Sequence, residues 1–297
     1  MMPVAFRYHL ASILAIFCAL LIGILVGIAL VGDPQLAKQV GYFRERAERD
    51  RAQIEGLSAD FRREEQFSAA VLPLLTKGRL EGRRVAIILN HDFRRDEFPD
   101  MVRATLQNAG ATISSTTTIL DRFLHLKNDQ ARSLLESLNL QVPVQGDLRS
   151  VLAGKLAPHI AQGKSETPTA LKTAGCIAVL GDYTKPSDVV VLLGGTRRED
   201  QASPLYIDLP IIEALQQSGI RCVGCERRSA AVSSVSFYLR KTVPTVDNAD
   251  TPPGKLALVL LVAGQNGHYH YGEKQGAVQL LPPLDTLSNN PPYARSQ

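Results

Sequence analysis

The sequence predicts an α/β protein: an N-terminal transmembrane helix and a coiled-coil stalk, then a doubly wound, mostly parallel sheet domain. Three observations predict it. Residues 10–31 run for 22 positions without a charge. Residues 33–76 combine an apolar stripe at heptad spacing with dense charge. Residues 83–282 alternate continuous apolar runs with helical stretches, the pattern of strands covered on both faces, as in Rossmann- or flavodoxin-like sheets.

Composition agrees. Of 297 residues, 45% are hydrophobic and 21% charged, enough to bury a core and too apolar for a disordered chain. Lys and Arg number 33 against 29 Asp and Glu, a net charge of +4. That balance is too mild for a dedicated nucleic-acid binder. Four cysteines and six histidines exclude a disulfide scaffold or a large metal store.

The uncharged run is long enough to span a bilayer, which takes about 20 apolar residues. A signal peptide would carry an apolar stretch of about 7–15 residues and a small-residue cleavage site. Ile28-Ala29-Leu30-Val31 before Gly32 is a poor one, so residues 10–31 read as an uncleaved single-pass anchor. Charge does not orient it. Lys38, Arg44, Arg46, Arg49 and Arg51 favour a cytoplasmic C-terminal part by plain count, while Arg7 before the span and Asp33 after it favour the reverse. Ala11, Ala15, Ala19, Gly23 and Gly27 share one helix face. Small residues there let two spans approach closely, although Ala and Gly are also simply common in membrane helices.

Asp33-Pro34 is a helix start. Leu36, Val40, Phe43, Ala47, Ile54, Leu57, Phe61, Val71 and Leu75 fall on a heptad seam, broken by Asp50, Glu64 and Ser68. Charged flanks beside such a seam read as a coiled coil, against the alternative that the helix packs on its own domain. Self-association is therefore expected through residues 11–75.

In the remaining chain, strands fit 85–89, 111–119, 189–193, 220–223 and, last, 244–247. Helices fit 101–109, 129–138, 151–162, 211–218 and 255–263. The tail 283–297 contains Pro291-Pro292 and is expected to be disordered.

Ligands of open α/β sheets bind beyond the C-terminal strand ends. Three ends stand out: Asn90-His91-Asp92, Gly194-Gly195 followed by Arg197-Arg198, and Asp247-Asn248-Ala249-Asp250-Thr251. Gly-Gly is a plain turn more often than a cradle. Asp247, Asn248, Asp250 and Thr251 form the denser cluster, although Asp250 or Thr251 serves equally as a helix cap. For metal, Cys222-x-x-Cys225 and His268-x-His270 supply two thiols and two imidazoles that suit Zn or Cu. A spacing of three on a strand points the thiols to opposite faces unless Gly224 bends the chain. No nucleophile elbow, phosphate loop or triad spacing occurs, so no residue offers itself as a catalyst and a non-enzymatic role is expected.

Phe6-Arg7-Tyr8-His9-Leu10-Ala11-Ser12, Leu192-Leu193-Gly194-Gly195, residues 245–259 beginning Thr245-Val246-Asp247-Asn248, and Leu280-Leu281-Pro282 together resemble the mycobacterial copper transport protein B family. The chain is also similar to septation factors of the SteB type. His268-Tyr269-His270-Tyr271-Gly272 departs from the shorter Tyr-Gly of the family pattern. The resemblance implies a cytoplasmic segment 1–9, an extracytoplasmic domain 83–282 and a role in copper transport or efflux. It makes copper the one cofactor to test. Its SteB side implies an envelope or septation partner. No Met-rich copper motif supports the copper role independently, since the methionines are Met1, Met2 and Met101.

Overall fold

The computed structural model describes residues 4–31, 34–89, 96–196, 205–264 and 270–284. The chain forms two units, 1–66 and 67–297. In the first, helix α1 (Val4–Val31) is followed by the long α2 (Pro34–Thr76), whose last turns belong to the second unit. The stretch Ala11–Ala29 within α1 is long and apolar enough to cross a membrane. Its leucines and isoleucines are exposed, as a lipid-facing surface requires. α2 is also exposed over most of its length. A single helix covers the expected stalk.

The second unit runs β1 (Arg84–Leu89), α3 (Phe98–Asn108), β2 (Thr112–Ile119), α4 (Asp121–Leu124), α5 (Asn128–Ser137), α6 (Leu148–Gln162), α7 (Glu166–Thr173), β3 (Ile177–Gly181), β4 (Val189–Leu193), α8 (Leu205–Gln217), β5 (Arg221–Cys225), α9 (Val235–Arg240), β6 (Thr245–Val246), α10 (Pro252–Ala263) and β7 (His270–Tyr271). The sheet order is β3-β2-β1-β4-β5-β6-β7. Every pairing is parallel except β2 with β3.

The sheet is wound on both sides, and the residues alternate accordingly. Ala86, Ile88, Val190, Leu192 and Cys222 join α4 to α8 in one apolar cluster. Val85, Ile87, Leu89, Val189, Val191, Val223 and Cys225 join α3 and α10 in the other. This explains why β1 and β4 read as unbroken apolar runs: both of their faces are covered.

Two strands depart from the sequence reading. β3 was not expected, and β6 is not the last strand, because His270–Tyr271 adds β7 beside it. β3 lies at the sheet edge with a largely exposed burial pattern. β7 has only two residues, too few for any periodicity. Helices α4, α7 and α9 are likewise additions. The sequence ranges 90–95, 197–204, 265–269 and 285–297 lie outside the described residues. They include His91, Arg197, Arg198, His268 and nearly all of the expected tail.

Candidate functional site

Two of the three strand ends singled out by sequence, after β4 and after β6, lie on either side of the end of β5. Each strand delivers a short polar segment there: Gly194-Gly195 from β4, Glu226-Arg227-Arg228 from β5, and Asp247 to Thr251 from β6. The segment after β7, Gly272-Glu273-Lys274, closes over them.

Asp247 is at the centre and fully buried. Its Oδ1 accepts the Glu273 N–H at 2.8 Å and its Oδ2 accepts the Lys274 N–H at 2.7 Å. Nε2 of His270 lies 2.8 Å from the same Oδ2, and Nδ1 of His270 lies 3.1 Å from Thr245 Oγ1. Burial alone would raise the Asp247 carboxyl. The His270 ring and the two backbone donors outweigh it and hold the group below the ordinary carboxylate range. Gly272 makes this closure possible. Its φ is +140°, and a Cβ there would sit 2.0 Å from Asp247 Oδ1.

The neighbours of Asp247 cap and tie. Thr251 Oγ1 accepts the Gly254 N–H at 3.3 Å and so caps α10, with Pro252 in the first turn. Asp250 accepts the Arg228 N–H at 2.7 Å. Asn248 is fully buried and donates to Glu273 Oε1 at 3.3 Å. The residues expected to bind a ligand thus also hold strand ends and a turn together.

Gly194 and Gly195 are needed for close packing. A Cβ at Gly194 would lie 2.7 Å from the Tyr238 hydroxyl, and one at Gly195 would lie 2.9 Å from Glu226 Oε2. The Gly195 N–H donates to Ser234 Oγ at 2.9 Å. The Gly-Gly turn is therefore filled by the start of α9.

Sequence reasoning missed the second half of this network. Glu226, almost fully buried, accepts Ser233 Oγ–H at 2.6 Å, the Ser234 N–H at 2.8 Å and Lys274 Nζ at 2.6 Å. Arg227 pairs with Asp96 at 2.5 Å and lies 4.9 Å above the Phe98 ring. Arg228 pairs with Glu273 at 2.7 Å. The available signal was a charged triplet directly after a strand. Ser233 beside Glu226 has the elements of a hydroxyl and a base. The ammonium of Lys274 and the Ser234 N–H already engage that carboxylate, so the arrangement is a closed ionic network.

The thiols are not brought together. Cys222 belongs to one apolar cluster and Cys225 to the other. The strand stays regular through Gly224, which pairs with Thr245, so a spacing of three separates the two side chains. Burial pushes both thiols far above their ordinary range, with Asp208 adding to the effect on Cys222 and Glu226 on Cys225. That disfavours the thiolate a copper or zinc site uses. The His270 ring is held between Thr245 Oγ1, at Nδ1, and the Asp247 carboxylate, against which Nε2 lies. Among the described residues, no group of three or more His, Cys, Asp or Glu is placed to hold a metal ion.

An open cleft, a space of about 260 Å³, lies between the ends of β1 and β2, the edge strand β3 and α3. Asp100, Arg103, Thr116, Thr118 and Leu180 are on its wall. Arg103 and Asp100 pair at 2.8 Å.

A helix long and apolar enough to span a membrane, a long charged helix and a doubly wound sheet with a closed polar network at its strand ends define a membrane-anchored α/β protein without a recognisable catalytic centre among the described residues. The chain belongs to the family described as copper transport outer membrane protein, MctB, which matches residues 3–282. Relatives named copper transporter MctB, from Mycobacterium bovis and Mycobacterium tuberculosis, are 24% identical over 315 residues, covering 93% of this chain and 98% of theirs.

Proposed function

We propose that this protein takes part in copper transport or efflux as a non-enzymatic, single-pass membrane protein with its α/β domain on the extracytoplasmic side. The observation that carries the reading is the match to the copper-transporter family over nearly the whole chain, anchor, stalk and domain together. The geometry shapes how the role is performed. One membrane helix cannot enclose a pore by itself. The buried thiols on opposite sheet faces offer copper no preformed cage. Copper is therefore the cargo of an assembly to which this chain contributes, rather than a resident ion of its sheet domain.

A second reading is favoured by a different observation. α2 presents Phe43, Ile54, Leu57 and Phe61 to solvent, which suits a scaffold that recruits an envelope or septation partner. A deletion strain separates the two. Heightened copper sensitivity with normal cell separation supports the copper role. Normal copper tolerance with chained cells replaces it by the scaffold.

A further inference from the structure

The heptad seam of α2 changes its surroundings along its length. In the second unit, Val71 and Leu75 share a hollow of about 140 Å³ with Pro252, Leu256 and Leu281. That end of the seam is used by the protein's own domain. In the first unit the same seam is bare: Ile54 is 63% exposed, Leu57 61% and Phe61 61%. Asp50 and Glu64, also exposed, occupy the seam positions on either side of these three. A pairing helix can therefore use the stretch from Val40 to about Phe61, and not the full stalk.

The charges on this stripe select the occupant. Two copies anchored in one membrane run parallel, and each seam residue then faces its own equivalent. Asp50 would meet Asp50, and Glu64 would meet Glu64, inside an apolar interface. The flanks repeat the conflict. Parallel pairing sets Arg46 against Arg51 of the other copy and Asp60 against Glu65. The ion pairs within the helix, Arg51–Glu55 at 3.1 Å and Arg63–Asp60 at 2.5 Å, relieve only the flanks.

We infer that the bare stripe of α2 docks a helix of a different polypeptide, one with cations opposite Asp50 and Glu64, acids opposite Arg46 and Arg51, and bases opposite Asp60 and Glu65. This deepens the scaffold reading, which rests on the same exposed stripe, and does not depend on the copper one.

The test uses the full chain in detergent micelles with Leu57→Cys in a Cys18→Ser background, so that disulfide trapping reports contact at the seam. The remaining cysteines are buried. The probe is a differently tagged full chain that also carries Asp50→Lys and Glu64→Lys, which supplies the cations. Thermal unfolding of each protein checks that the domain is intact. The expected result is trapping between wild-type seam and probe about tenfold above wild type with itself. Equal trapping of wild type with itself would make a second copy the occupant and overturn the inference. Trapping with neither would overturn it too, because the stripe would then not be a docking face.

Discussion

Replacing Asp247 with alanine removes three contacts at once: the acceptor of the Glu273 and Lys274 N–H groups and the carboxylate against the His270 ring. A buried donor left unsatisfied costs about 1–3 kcal/mol. The turn after β7 can relax and admit water, so the three together come to about 3–5 kcal/mol rather than their full sum. For a domain of this size, 1 kcal/mol moves the unfolding midpoint by about 2–4 °C. Calorimetry of the full chain in micelles should therefore show a fall of about 6–20 °C. Asp250→Ala is the control, because it loses only the Arg228 N–H bond, worth about 1 kcal/mol. The pH dependence has a definite sign. The folded carboxyl titrates below its ordinary range, so its stabilisation is present at neutral pH and is lost as pH falls through the folded value. The gap between wild type and Asp247→Ala should hold above pH of about 4 and shrink below it. A midpoint for Asp247→Ala within about 2 °C of wild type would refute the argument that this carboxylate anchors the edge.

Three further outcomes are expected. Gly272→Ala places a Cβ against Asp247 Oδ1 at an unfavourable φ and should lower stability by about 2–4 kcal/mol; in the double variant with Asp247→Ala the loss should be less than the sum, as unfolding midpoints will show. Titration of the purified chain with Cu(I) against a coloured chelator should show no tight equivalent that depends on Cys222, and one tight equivalent lost in Cys222→Ser would show that the sheet opens to bring the thiols together. A reporter fused after Gln297 should be active only outside the cytoplasm, and activity of a cytosol-only reporter would reverse the proposed topology.

What was legible in the sequence follows from how the residues are buried. β1 and β4 announce themselves because helices cover both faces and every position after Arg84 is apolar. β3 lacks that signal, since most of its residues are exposed at the sheet edge. β7 is formed by its ladder to β6 and a bridge to Gln279, and has no pattern of its own. For the candidate site, Asp247, Asn248, Asp250 and Thr251 were found because four polar groups lie within five residues. Glu226, Ser233, Lys274 and Asp96 were not, because the sheet brings them together from distant segments. The split of Cys222 from Cys225 was readable, since three positions along a regular strand always change face. The partial use of the α2 seam was not readable. Its repeat is the same on both sides of residue 66, and only the packing of α10 and Leu281 distinguishes them.

The central claim, that this chain serves copper transport, is tested most directly by cell-associated copper. Mass spectrometry on a deletion strain grown in copper-supplemented medium should show copper several-fold above wild type, restored by the intact gene and equally by Cys222→Ser with Cys225→Ser where that variant folds. Unchanged copper in the deletion strain, with the protein shown to be expressed in the parent, would contradict the account.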